Sequence, residues 1–172
     1  ADYNKAIELD PTRAVYYTNR GITYADQGDF LEAFVDYTKA IELDPTRASA
    51  YNSRGITYHE QGEFEKAIAD FNKAIELDPT LAFSFNHRGR AYYEQGEFEK
   101  AIADLTKVIE LDPTVAVAYN NRGIAYDEQG NLDKAFVDYN KVIELDPANA
   151  IVYTNRGKAH WVQGKLDKAF VD

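Results

Sequence analysis

The sequence predicts an all-α chain assembled from repeated helix pairs, and three observations predict it. The five prolines and ten glycines stand on rows with a step of 34 residues and nowhere else. Between these markers the apolar residues recur at spacings of three and four, which lines one face of a helix. Hydrophobic residues make up 45% of the 172, which suits a globular chain, while no apolar run approaches the ~18 residues of a membrane span.

The proline row is Pro11, Pro45, Pro79, Pro113 and Pro147. One glycine row is Gly21, Gly55, Gly89, Gly123 and Gly157; the other is Gly28, Gly62, Gly96, Gly130 and Gly164. A fixed period of about 20–50 residues signals a solenoid or a related array. Four full repeats follow: 14–47, 48–81, 82–115 and 116–149. Residues 1–13 read as the second half of a preceding repeat, and 150–172 as a partial fifth.

Each repeat divides into two helices. In AYNSRGITYHEQG, residues 50–62, Tyr51, Gly55 and Tyr58 share a face, and Gly62 supplies the left-handed stop. In FEKAIADFNKAIELDP, residues 64–79, the apolar set is Phe64, Ala67, Ile68, Phe71, Ile75 and Leu77. Pro79, with no N–H to offer, closes it, and Thr80 is the expected N-cap of the next helix. Helices are thus expected over 14–27 and 31–43 and their translations by 34. At about 13 residues they are marginal alone in water and must stack.

These rows resemble the tetratricopeptide repeat. Its pattern is matched by the aromatic row Tyr17, Tyr51, Phe85, Tyr119 and Tyr153, with the first glycine row four residues later. Next come Tyr24, Tyr58, Tyr92 and Tyr126, from which His160 departs. The alanines Ala33, Ala67, Ala101, Ala135 and Ala169 follow, then Tyr37, Phe71, Leu105 and Tyr139, then the prolines. The resemblance implies a right-handed superhelical solenoid of antiparallel helix pairs. It also implies a concave groove, lined mainly by the first helix of each repeat, that binds peptides or proteins. Pentatricopeptide repeats, which read RNA, have a usual period one residue longer, and the acidity here counts against them.

One departure is systematic. Where the family usually has leucine before the first glycine, this chain has Arg20, Arg54, Arg88, Arg122 and Arg156. Asp36, Asp70, Asp104, Asp138 and Asp172 stand 16 residues after each. A buried cation needs a partner, so an Arg–Asp bridge between the two helices of a repeat is expected. The alternative is an arginine stripe presented to an acidic ligand.

Composition narrows the function. With 19 basic and 29 acidic residues the net charge is −10, which argues against a nucleic-acid surface. The chain has no cysteine, so it carries no disulfide, thiolate nucleophile or zinc-thiolate site; the compartment stays open, with a soluble cytoplasmic setting as the default. The glycine spacings fit neither GxGxxG nor GxxxxGK, and no two of His59, His87 and His160 are four apart. His59 and His87, from neighbouring repeats, are the one pair considered for a metal, against plain packing. No cofactor, metal or catalytic activity is expected.

Setting aside what repeats for packing isolates the candidate groove. It comprises Asn19; Asn52 and Ile56; Phe83, Asn86, His87, Arg90 and Tyr93; Asn120, Asn121 and Ile124; and Asn155 and Trp161. Asp26, Glu60, Glu94 and Glu128 lie at its edge. Asparagine both donates and accepts, so it can hold an extended peptide backbone without reading its side chains. Some tetratricopeptide arrays line their groove with asparagines, and Asn19, Asn121 and Asn155 look similar, though Ser53 and His87 interrupt the row. The plainer reading is that these amides serve neighbouring helices or face water. Arg90 and Lys158 are the groove's only bases, too few for the clamp with which one subclass holds a C-terminal carboxylate.

The expected function is a scaffold that takes a protein or peptide segment in its groove, with an apolar anchor at Phe83 and Tyr93 and basic residues facing the acids. The alternative is a structural spacer or self-associating rod within a larger protein. No membrane partner is expected. The chain opens and closes inside second helices, at ADYNKAIELDP and KAFVD, and so reads as part of a longer array. Tyr3, Ile7 and Leu9 in front and Trp161 and Phe170 behind suggest head-to-tail self-association through unsealed ends.

Overall fold

The computed structural model describes residues 2–165 and 169. The described residues form ten α-helices and no strand: α1 Asp2–Leu9, α2 Ala14–Gln27, α3 Phe30–Leu43, α4 Ala48–Glu60, α5 Phe64–Leu77, α6 Ala82–Glu94, α7 Phe98–Leu111, α8 Ala116–Glu128, α9 Leu132–Leu145 and α10 Ala150–Val162. The even-numbered helices are the first helices of the repeats. The expected second helix began at 31; α3 begins one residue earlier.

The chain divides into two units, residues 1–87 and 88–172, with the division inside α6. In the first unit α2 packs on α3 and α4 on α5, while α1 lies on α2 and α3 on α4. In the second, α8 packs against both α7 and α9, and α10 against α9. Short connections return each helix along its predecessor.

The two glycine rows serve different ends. Gly28, Gly62, Gly96, Gly130 and Gly164 have φ between 73° and 84°. They close the first helices in the left-handed conformation, with the Gly28 N–H on Ala25 O and the next N–H on Tyr24 O. Gly21, Gly55 and Gly123 sit inside helices, and a Cβ there would lie 2.7 Å from a ring carbon of Tyr37, Phe71 or Tyr139. In each of these three repeats the second helix drives its ring edge onto the backbone of the first. Ala33, Ala67, Ala101 and Ala135, all fully buried, let the paired helices approach.

The second helices end on an aspartate with extended backbone, followed by proline. The expected N-cap at Thr80 is not found. Its N–H and hydroxyl both donate to Asp78 Oδ1, at 3.0 and 2.7 Å, so the side chain closes the Asp-Pro-Thr turn. Helix α6 begins only at Ala82, beyond the reach of a threonine so occupied. The same turn recurs at Asp44–Thr46 and Asp112–Thr114.

The arginine row is internal. Arg54 grips Asp70 through Nε and Nη2 at 2.7 and 2.8 Å; Arg88 grips Asp104 at 2.7 and 2.6 Å. Arg20–Asp36 and Arg122–Asp138 repeat the geometry. The aspartate side chains are 2–9% exposed and the arginines 17–24%. Hydrogen bonding to the aspartate holds the Arg20, Arg54 and Arg122 guanidiniums above their ordinary pKa. The rows thus tie the two helices of each repeat together and present no cationic stripe. Arginine also reaches backwards, a feature the sequence reading did not foresee: Nη1 of Arg20, Arg122 and Arg156 donates to Asn4, Thr106 and Asn140, each 16 residues earlier. Asp172, the expected partner of Arg156, lies outside the described residues.

At the front, Ile7 packs against Ala14, Tyr17, Ala40 and Ala50, so α1 covers that core, while Tyr3 and Leu9 stay exposed. Trp161 is exposed; Phe170, the other rear residue invoked for self-association, lies outside the described residues.

Candidate functional site

The first helices present one face in each unit, and on that face a recess lies between neighbouring first helices. In the second unit its walls are Arg90, Tyr93 and Glu94 of α6 and Asn121 and Ile124 of α8. Its floor is Leu105 of α7 and the backbone of Gly89. Its volume is about 280 Å³, just under the roughly 300 Å³ at which small-molecule clefts begin, and suited to one large side chain.

The first unit repeats the recess 68 residues earlier, between Ile22, Ala25 and Asp26 of α2 and Ser53, Ile56 and Glu60 of α4, with Tyr37 in the place of Leu105. There it is smaller, about 220 Å³, and does not reach Gly21, the counterpart of Gly89.

The rim in the second unit is acidic. Glu94, Asp127 and Glu128 form no ion pair among the described residues, whereas outward acids such as Glu110 and Glu144 are held by Lys107 and Lys141. Tyr93 donates its hydroxyl to Glu128 Oε1 at 3.4 Å and packs its ring near Phe98. Burial, followed by the charge of Glu128, pushes the Tyr93 hydroxyl pKa up; the same two causes push the Asp127 carboxyl up. Arg90, in the α6 wall, is a cation on the same recess.

Three groove asparagines are hydrogen-bonded to a neighbouring repeat. Asn52 Oδ1 accepts from the Ser84 hydroxyl at 2.9 Å, and Asn155 Nδ2 donates to Asn120 Oδ1 at 3.1 Å. Both contacts join successive first helices. Asn120 Nδ2 lies 3.5 Å from Asn121 Oδ1, while Asn121 itself lines the recess. Asn19 is half-buried on α2, and its backbone carbonyl accepts from Thr23. Asn86, in the first unit, has its Oδ1 buried. Of the expected anchor residues, Phe83 is 70% exposed at the start of α6, in the first unit, and Tyr93 forms a wall of the recess in the second. Trp161 stands beside Lys158 and Thr154 over a shallow depression.

The histidines sit against rings: His59 edge-on to Phe64, His87 stacked on Phe71 and His160 stacked on Phe136 at 4.3 Å. His160 therefore repeats the stack that Tyr58 makes with Phe34.

Two residues escaped the sequence reading. Leu105 is the aliphatic break in the row Tyr37, Phe71, Leu105, Tyr139, and that break was the available signal. Tyr139 is fully buried with its hydroxyl unpartnered, and the Thr57 hydroxyl near Tyr37 donates to the Ser53 carbonyl at 3.2 Å. Ala159 occupies the place of Thr57 three repeats on. Burial, then the charge of Asp127, raises the Tyr139 hydroxyl pKa far above the usual tyrosine range.

A family model described as TPR repeat matches residues 23–62 and 89–130. Two models described as tetratricopeptide repeat match 48–81 with 116–149, and 2–34 with 71–103. No curated protein matches the chain significantly. Among solved structures, MamA is 32% identical, over 87% of this chain and 88% of that one, with a TM-score of 0.82. YrrB, described as a TPR protein with an unusual peptide-binding site, is 26% identical over 98% of this chain and 87% of its own, also at 0.82. The first TPR of Spaghetti (RPAP3), bound to the HSP90 peptide SRMEEVD, is 27% identical over 70% of this chain and 96% of its own, at 0.67.

Proposed function

The chain belongs to the tetratricopeptide repeat family, and from that premise we propose that it is an interaction scaffold holding an extended, basic and partly apolar segment of a partner protein on the face of its first helices. The observation that carries this reading is the recess between α6 and α8, apolar at its floor, with Arg90 and Glu94 in its wall and Glu128 and Asp127 near the Tyr93 hydroxyl, none of these three acids in an ion pair among the described residues. Two similar structures support peptide as the ligand class, one with a peptide-binding site and one holding SRMEEVD. That peptide carries three acids. The bases facing this side are Arg90 and Lys158, so the charge here favours the opposite ligand. Rim charges govern association rate and salt dependence more than final affinity.

Selection from a displayed peptide library tests the reading. Enriched sequences should combine Lys or Arg with an apolar residue, and binding should weaken in the Glu94→Gln/Glu128→Gln variant and with added salt. Enrichment of acidic peptides would refute the charge argument. Failure to enrich any peptide sensitive to this variant would favour the spacer.

A further inference from the structure

The recess of the second unit differs from its counterpart by one missing ring. In three repeats an aromatic side chain from the second helix lies against the inner glycine of the first, so close that a Cβ on Gly21, Gly55 or Gly123 would stand 2.7 Å from ring carbons. In the third repeat the residue is Leu105, and the nearest atom to a Cβ on Gly89 is its Cγ, at 3.2 Å. The recess there reaches down to the Gly89 backbone, which the counterpart in the first unit does not. It is the larger of the two, about 280 against about 220 Å³, although Arg90 and Tyr93 are bulkier than the Ile22 and Ala25 they replace. At the floor the two differ by leucine in place of tyrosine and by the reach to the glycine backbone.

We propose that this recess is a subsite for one aromatic side chain of the bound segment, seated on Leu105 and Gly89 where the other repeats place a ring of their own, with a flanking lysine or arginine of the segment against Glu94 and Glu128. Leu105 is then the specificity-determining residue, because it makes room for the ligand's ring. Two features favour an aromatic side chain over an aliphatic one. In the other three repeats a ring edge lies against the equivalent glycine. The Tyr93 ring walls one side, at a position suited to edge-to-face contact. The acids then select the neighbour of that ring by charge. The inference rests on the proposed use of this face for a peptide.

The test uses two synthetic probes, acetyl-Lys-Lys-Phe-Lys-Lys-amide and the same peptide with alanine for phenylalanine, titrated into the chain at moderate salt while methyl and amide NMR signals are followed. The phenylalanine peptide should shift the Leu105 and Ile124 methyl signals saturably. It should bind roughly ten- to a hundredfold tighter than the alanine peptide, the transfer worth of one buried ring. In Leu105→Phe, which restores the residue found at Phe71, that preference should vanish while charge-driven binding of both peptides remains. Equal affinity for the two peptides, or a preference that survives in Leu105→Phe, overturns the subsite. If the peptides then still shift Asn121 and the acidic rim, only the subsite falls; if neither shifts any residue of this face, the reading of the face falls with it. Should Leu105→Phe fail to fold, the comparison of the two peptides on the native chain decides alone.

Discussion

Removing the carboxylate of Asp138 should expose how much the Arg–Asp rows hold the array together. Arg122 donates Nε and Nη2 to the two oxygens of Asp138 at 2.8 and 2.7 Å, and the side chains are 17% and 2% exposed. Asp138→Ala leaves a guanidinium largely shielded from water. It keeps one hydrogen bond, Nη1 to the Thr106 hydroxyl at 3.0 Å, and the ring faces of Tyr119 and Tyr126 at 5.7 and 6.0 Å. Breaking a buried pair on one side costs about 3–5 kcal/mol. The remaining partners and partial exposure put this case at the lower end, about 3 kcal/mol. Arg122→Met should cost a similar amount by stranding the aspartate. The double variant strands neither charge, so its loss should fall short of the summed single losses by about 2 kcal/mol. Urea unfolding followed by far-ultraviolet circular dichroism gives the three values. Amide exchange along α8 and α9 localises the effect, because repeat arrays open segment by segment. Single variants within about 0.5 kcal/mol of the native chain, or strict additivity, would refute the reasoning and assign the pair the worth of an exposed ion pair.

Three further outcomes are expected. Tyr139→Phe removes a buried hydroxyl without a partner and should be neutral or stabilising by about 1 kcal/mol; thermal unfolding checks it, and a loss of more than about 1 kcal/mol would show that the hydroxyl has a partner. Gly123→Ala drives a methyl to 2.7 Å from the Tyr139 ring and should cost about 1–3 kcal/mol, while Gly89→Ala meets Leu105 at 3.2 Å and should cost clearly less; equal losses would show that the rings do not set this spacing. The Thr46, Thr80 and Thr114 hydrogen bonds lower the carboxyl pKa of Asp44, Asp78 and Asp112, so these groups add stability that is full above the unfolded-chain value and drains as pH falls through the folded one. Replacing the three threonines with valine should therefore move acid unfolding to higher pH, and an unchanged midpoint would contradict the linkage.

Helix extents, the left-handed stops at the outer glycines and the Arg–Asp partnership sixteen residues apart were all legible in the sequence. Each depends on local backbone preference or on a spacing repeated in every unit, and repetition turns a weak local signal into a firm one. The row of asparagines was legible as a row but not in its use. Whether Asn52 and Asn120 meet a ligand or the next helix depends on which side chains stand across from them, Ser84 and Asn155, 32 and 35 residues away. Thr80 likewise had two partners within reach, and the turn geometry chose Asp78. The recess was the least legible feature. A leucine among three aromatics reads as a conservative core change, and Leu105 is indeed buried. Only the tertiary structure shows that the volume it gives up lies against Gly89 and opens on the face of the first helices, because a void is defined by the atoms around it, and those come from three helices. The sequence by itself determined the repeat and the pairing of its helices; the packing of one repeat against the next decided where room was left for another molecule.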